Sequence, residues 1–163
     1  MARVKLDRVD RKILAYLQNE GRITNVDLAD KVGITPPPCL RRVKALENAG
    51  YICGYHADLN NEELGYGITV FAMVGLESQA EIDLTAFEDL VAGWPMVREC
   101  HMLNGEIDFV LKIVAKDLAE FQSFLTGKLT AAPQVASVKT SLSIRSSKNE
   151  PGIPFDDIPM NRD

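Results

Sequence analysis

The stretch TNVDLADKVGITPPPCLRRVKALEN, residues 24–48, contains two helix starts separated by a glycine. Thr24 followed three positions later by Asp27 is a capping-box pattern, and Leu28, Ala29 and Val32 fall on one helical face. Gly33 stops that helix, because glycine enters the left-handed conformation without steric cost. Thr35 caps the next helix, whose apolar side is Cys39, Leu40, Val43 and Leu46 and whose end is near Gly50. Helix, short glycine turn, helix is the helix-turn-helix pattern. Upstream, Leu6, Val9, Ile13, Leu14 and Leu17 recur at helical spacing, with Asp7 as N-cap and Gly21 past the end. Residues 1–50 therefore read as a three-helix domain. Because a residue before proline is disfavoured in the α region, the Pro36-Pro37-Pro38 run predicts that the third helix begins at Pro38.

Charge separates the two halves. Residues 1–60 carry 10 Lys and Arg against 7 Asp and Glu, whereas residues 61–163 carry 8 against 16. A chain of net charge −5 thus has a basic N-terminal part. At about 100° per residue, Arg41, Lys44 and Asn48 cluster opposite the apolar side of the third helix, with Arg42 on the flank. Arginine grips guanine through two hydrogen bonds, and lysine or arginine pairs with phosphate. Arg22, Thr24 and Asn25, near the start of the second helix, are expected to fix the register on the DNA backbone. Thr35 and Pro38 complete the expected DNA-facing set. A solvated basic helix would carry the same charges, so the turn geometry is what favours duplex DNA as a partner.

Beyond residue 65 the pattern changes. Ile68–Leu76 is rich in β-branched and aromatic residues and reads as a strand; a helix follows over Glu81–Ala92, then a strand over Met96–Leu103. Asn104-Gly105 predicts a tight hairpin with positive φ, returning as a strand over Ile107–Val114. A helix over Asp117–Leu129 and a strand over Val135–Ile144 complete the order β-α-β-β-α-β, the ferredoxin-like arrangement. The fold class is α+β: a helix-turn-helix (winged-helix-like) domain at 1–50, a linker at 51–64, and a ferredoxin-like domain at 65–145. Residues 146–163 hold three prolines and little periodicity, so they read as a tail that is ordered only if something holds it.

Composition excludes several classes. Of 163 residues, 46% are hydrophobic and 25% charged, the balance of a globular protein rather than a disordered chain. Cys39, Cys53 and Cys100 are odd in number and lack C-x-x-C spacing, so they suggest neither a disulfide framework nor a zinc site but small, partly buried apolar residues in a reducing cytoplasm. The N-terminus has no signal-peptide core, and the apolar run Gly65–Leu76 is too short to span a bilayer, so no membrane partner is expected. No metal spacing, phosphate loop or nucleophile motif is present. Glu99 and His101, two apart on one strand face, are an acid–base pair only in isolation. The chain reads as a non-enzyme without cofactor.

The hairpin segment 99–109, ECHMLNGEIDF, sets acidic groups beside a tight turn. A free amino acid needs an acceptor for its ammonium and backbone donors for its carboxylate. Asp108 and the open backbone around Asn104, Gly105 and Glu106 offer both, and Thr140 and Ser141 on the last strand add hydroxyls if they lie nearby. A hairpin tip of this composition is also an ordinary solvent-exposed turn.

Taken together, residues 6–14 (LDRVDRKIL), 21–29 (GRITNVDLA), 32–36 (VGITP), 38–43 (PCLRRV) and 99–109 resemble the Lrp/AsnC family of leucine- and asparagine-responsive regulators. The resemblance covers roughly residues 6–145. It implies a transcription regulator with an N-terminal helix-turn-helix and a C-terminal ferredoxin-like effector domain that dimerises and often assembles into octamers that wrap DNA. It also implies that a strand over Tyr51–Leu59 joins the dimer contact. An amino acid effector would be held between dimers by Met102, Leu103, Asn104, Gly105, Glu106 and Asp108. A neighbouring subunit's Thr140, Ser141 and Leu142 would close that site. Asn104-Gly105-Glu106 stands where the family commonly has Ser or Thr followed by Gly-Asp, Phe109 where tyrosine is frequent, and Gln134 where a glycine often precedes the last strand. The expected location is the cytoplasm, at the nucleoid. Two other readings use the same residues: an architectural DNA-wrapping protein without effector, and an amino acid-binding regulatory subunit of a metabolic enzyme.

Overall fold

The computed structural model describes residues 5–155. Two units emerge: residues up to Asp58 together with those from Lys148 onward, and Leu59–Ser147. The expected tail thus groups with the helical unit rather than standing alone; its residues 156–163 lie outside the described residues.

Three helices build the first unit: α1 (Arg8–Asn19), α2 (Asn25–Val32) and α3 (Pro36–Asn48). Asp7 caps α1 by accepting from Asp10 N–H at 2.8 Å, and Asp10 reciprocates at the Asp7 N–H at 3.1 Å. Thr24 Oγ1 accepts from Asp27 N–H at 3.2 Å and donates to Asp27 Oδ2, and Gly33 ends α2 at φ 79°. Ile13, Leu28, Ala29, Val32, Cys39 and Leu46 form the core of this unit.

Five sequence expectations need correction over the helices and the segment that follows them. Helix α3 begins at Pro36, not Pro38. Its first N–H groups would have no intrahelical partner, so three prolines forfeit nothing there, and their fixed φ already suits the helix. Thr35 sits at the N-cap, yet its side chain makes no capping bond. Leu40 is 45% exposed instead of packing inward. It shares the outer row with Arg41 and Lys44, while Cys39 and Leu46 fill the core. Tyr51–Leu59 forms no strand, because within one chain no sheet edge pairs with it. Cys53, moreover, is exposed rather than partly buried.

The second unit contains β1 (Ile68–Leu76), α4 (Glu81–Ala92), β2 (Val97–Met102), β3 (Phe109–Ala115), α5 (Leu118–Phe124) and β4 (Val135–Leu142). The sheet order is β2-β3-β1-β4, every neighbouring pair antiparallel, which is the ferredoxin-like βαββαβ topology. Residues 70, 72, 74 and 76 of β1 are buried and alternate with less buried neighbours, and β3 alternates likewise from Phe109 to Ala115. That period of two puts one face against α4 and α5. Phe87 packs 4.9 Å from Phe109 and edge-on to Trp94 at 6.1 Å; Trp94 meets Phe124 at 5.4 Å, closing the core. The expected helix over Asp117–Leu129 ends as an α-helix at Phe124 and continues as a single π turn over Leu125–Leu129. Thr126 and Thr130 hydroxyls donate back to Gln122 and Leu125 carbonyls there.

Candidate functional site

Arg41, Lys44 and Asn48 are all exposed on α3, one row at i, i+3 and i+7, and Leu40 extends it. Arg42 behaves differently. Its Nη1 donates to Asp7 Oδ2 and Asp10 Oδ1, both at 2.7 Å, tying α3 to the capping box of α1. The two carboxylates raise the Arg42 guanidinium pKa, Asp10 contributing most. Asp7 is held below the usual carboxylate range, first by the Asp10 N–H, which works against burial, and then by Arg42. Arg42 is thus a brace of the unit, with its charge balanced inside the fold. Asn25 is likewise engaged: its Nδ2 donates to the Pro36 carbonyl at 2.9 Å, locking α2 onto the first turn of α3. Thr24 is spent on capping α2. Arg22 and Thr35 are exposed and Pro38 is half-buried within the first turn.

The proline run has a further effect on this interface. A helix N-terminus normally presents free N–H groups to a phosphate. Here three consecutive first-turn residues lack an N–H, and Cys39 N–H already donates to Thr35 O at 3.2 Å. Contacts from this end of α3 must therefore come from side chains.

The hairpin between β2 and β3 is wider than the sequence suggests. Leu103 to Asp108 form the connection, closed by Leu103 N–H donating to Asp108 O at 2.8 Å. Neither Asn104 nor Gly105 takes a positive φ, so the expected two-residue turn is not formed. Asp108 explains the difference. It is 8% exposed, and its Oδ2 accepts from Leu76 N–H at 2.7 Å while its Oδ1 accepts from Gln79 Nε2 at 2.8 Å. Its own N–H donates to Val74 O at 3.0 Å. The carboxylate thus anchors the loop to the end of β1, where the ladder bulges between Gly75 and Leu76. Gln79 and the Leu76 amide are partners of the candidate loop that sequence reasoning missed, since nothing local marks a glutamine 29 residues upstream. Met102, Leu103, Asn104, Gly105 and Glu106 are exposed around the loop, and open space surrounds Gly105 where a Cβ would point.

Thr140, Ser141 and Leu142 are exposed on β4, paired with Ala72, Phe71 and Val70. β1 separates β4 from β3, a lateral offset of about 10 Å at two strand spacings. One chain therefore does not bring these residues to its own hairpin. Glu99 is engaged by Lys112 Nζ at 2.8 Å and lies 3.4 Å from His101 Nε2. Lys112 chiefly, and His101 to a lesser degree, hold its carboxyl below the usual range despite burial. This is a cross-strand ion pair. Among the described residues, no group of three or more His, Cys, Asp or Glu is placed to hold a metal ion, and no helix is long and apolar enough to cross a membrane.

Comparisons with known proteins agree with this geometry. Residues 6–52 match a winged helix-turn-helix DNA-binding model, and residues 69–153 match the Lrp/AsnC ligand binding domain. The chain is 53% identical over 149 residues to a leucine-responsive regulatory protein of Rhizobium meliloti, covering 91% of this chain and 96% of the relative. It is 44% identical to the Bkd operon transcriptional regulator of Pseudomonas aeruginosa, over 87% of this chain and 93% of that protein. A crystal structure of a Neisseria meningitidis transcriptional regulator in complex with L-Met superposes with a TM-score of 0.89 at 35% identity, covering 94% of this chain and 99% of that one. With a DNA-binding helix-turn-helix and a ligand-binding ferredoxin-like domain in one chain, this protein belongs to the Lrp/AsnC family of transcriptional regulators, not to an enzyme family.

Proposed function

We propose that the chain binds discrete operator sites on the chromosome through the outer row of α3, and that a free amino acid seated at the Met102–Asp108 loop changes its assembly or its DNA affinity. The observation that carries the DNA half is the split between the paired arginines. Arg42 is neutralised by Asp7 and Asp10, whereas Arg41 and Lys44 stand exposed in line with Asn48. Arg41 and Lys44 supply base and phosphate contacts, and Leu40 lies where an apolar side chain can meet a thymine methyl. Arg22 and Thr35 flank them against the backbone.

The loop supports the sensing half. Asp108 shapes it from beneath, leaving the main chain around Gly105 open to a carboxylate, and the relative crystallised with L-Met shares this fold. Because Thr140–Leu142 stand away from the loop of their own chain, the hydroxyls reach an effector only from a second copy. A site completed by assembly binds ligand differently in the assembled and dissociated states, which is what an effector requires. The sheet face opposite the helices fits a partner copy. Phe71 is 40% exposed there, beside Met73 and Val110, with Lys139 and Ser141 on the same side. We assign that face to a homodimer, with octamers as the further assembly, acting at the nucleoid in the cytoplasm.

The test is capture of the organism's genomic fragments by the purified protein, with and without a pool of common amino acids. Discrete sites whose enrichment changes with the pool are expected. Weak, salt-sensitive binding without discrete sites, indifferent to the pool, would replace this reading with an architectural one. No DNA capture at all would favour the enzyme-subunit reading.

A further inference from the structure

The first turn of α3 lacks the usual helix cap. An N-cap side chain accepts from the N–H of the second or third helical residue. In α3 those residues are Pro37 and Pro38, which have no N–H, so Thr35 at the N-cap has no such bond to make. The first N–H that the helix offers, on Cys39, already donates to Thr35 O at 3.2 Å. Restraint on this turn comes instead from α2, where Asn25 Nδ2 donates to the Pro36 carbonyl at 2.9 Å across 11 positions. That amide is only half used. Asn25 Oδ1 is buried and has no donor among the described residues, and the three prolines of the turn it serves have no N–H to give it. A buried acceptor left unpaired costs about as much as, or more than, a typical hydrogen bond contributes. The Pro36 carbonyl does not depend on Asn25 either, since the α-helical ladder gives it the Leu40 N–H. Stability alone therefore does not account for an amide at this position.

We propose that Asn25 is a positioning residue of the recognition helix: it touches no DNA itself, and through the Pro36 carbonyl it fixes the leading end of α3, on which discrimination between sequences depends. Farther along, Cys39 and Leu46 anchor α3 in the core that contains Leu28, Ala29 and Val32 of α2. Apolar contacts of that kind are not directional, so they hold α3 against α2 without fixing the tilt of its leading end. Leu40 and Arg41 follow directly on that end and face outward. Base-edge hydrogen bonds are steep in distance and angle, whereas charge pairing of Lys44 with phosphate is less demanding. The tie thus serves the choice among sequences more than affinity for DNA as such. This inference rests on the DNA-facing role proposed for the outer row of α3.

The test uses the full-length chain and two duplexes of equal length and composition, one carrying a site recovered by genomic capture with the wild type and the other scrambled. Asn25→Ala empties the position, and Asn25→Leu fills it with an apolar side chain of similar size; both remove the tie. In each variant the preference for the captured site is expected to fall by about tenfold, the size of one mismatched base pair, while affinity for the scrambled duplex and its salt dependence stay as in the wild type. The unfolding midpoint should stay level or rise, because the unpaired acceptor leaves with the amide. Exchange of the Cys39 and Leu40 amides should quicken by about tenfold as the leading turn loosens. Equal weakening on both duplexes would place Asn25 against the DNA backbone, contrary to the proposal. A clear drop in the unfolding midpoint alongside the lost preference would make the bond an ordinary structural one. A preference kept by Asn25→Leu would mean that packing, not the bond, holds the turn; either result overturns the proposal. A wild type that binds both duplexes equally defeats the DNA-facing role itself and the proposal with it, whereas a wild-type preference retained in both variants defeats the proposal alone.

Discussion

Arg42 Nη1 lies 2.7 Å from Asp10 Oδ1 and 2.7 Å from Asp7 Oδ2, so one guanidinium of the recognition helix bridges both members of the capping box that starts α1. Two adjacent arginines on α3 consequently have different work. Arg42→Ala is expected to destabilise the helical unit by roughly 1 kcal/mol, a figure kept low because Arg42 and Asp7 are partly solvated. Thermal unfolding measures it. Arg41→Ala with Lys44→Ala should leave the unfolding temperature and oligomeric state unchanged but reduce DNA affinity, and should lower the slope of log affinity against log salt by about 2. Unaltered duplex binding by that double variant would misplace the interface.

Leu40 offers a separate readout of the same row. Replacing thymidine by deoxyuridine in a selected site removes only the 5-methyl group. Affinity should fall by about 0.5–1 kcal/mol at one position of the half-site, and Leu40→Ala should erase that sensitivity. Equal binding to both duplexes by the wild type would take Leu40 off the DNA.

Asp108 has a structural place that the proposed sensing loop depends on. Asp108→Ala removes the acceptor of the buried Leu76 N–H and should cost about 1–3 kcal/mol in the sheet unit, along with the amino acid response. Asp108→Asn keeps one oxygen acceptor and should retain more of the stability. Urea unfolding of the two variants, set beside calorimetric titration with L-leucine and L-methionine, distinguishes loop collapse from loss of a direct ligand contact.

Acidification acts on both units. Asp7 and Glu99 have folded pKa values below their ordinary ones, so their contributions are fully present above about pH 4 and are lost as the pH falls through the depressed values. Urea midpoints should hold between pH 7 and 5 and fall below pH 4. Asp7→Asn and Glu99→Gln should each flatten that fall.

At the alkaline end Tyr55 contributes. Burial, and then its 2.9 Å hydrogen bond to Glu47 Oε1 and that carboxylate's charge, push its phenol up to about 12. A folded value above the ordinary one gives stability that is complete below about pH 10 and declines as the pH rises toward 12. Ultraviolet titration should show one late-ionising tyrosine, absent in Tyr55→Phe and shifted downward in Glu47→Gln.

The amino-acid order by itself determined the element sequence, because caps and composition are local: Asp7, Thr24 and Gly33 act within a turn, and the β-branched and aromatic residues of Ile68–Leu76 mark a strand without help from a partner. The exposed positions of Arg41, Lys44 and Asn48 followed from the helical period of about 3.6 residues. What only the tertiary structure decided are the partners that arrive from far along the chain. Leu40 turns outward because Cys39 and Leu46 take the core-facing side of α3, which leaves its position on the outer row. The hairpin opens because Asp108 spends its carboxylate on Leu76 and Gln79, 32 and 29 residues away, in place of a local turn bond. Arg42 pairs with Asp7, 35 residues distant, and Ile153 finds Gln18 across 135. A buried or paired polar group takes whichever partner the packed chain brings within 3 Å, and that choice is made after the local elements have formed.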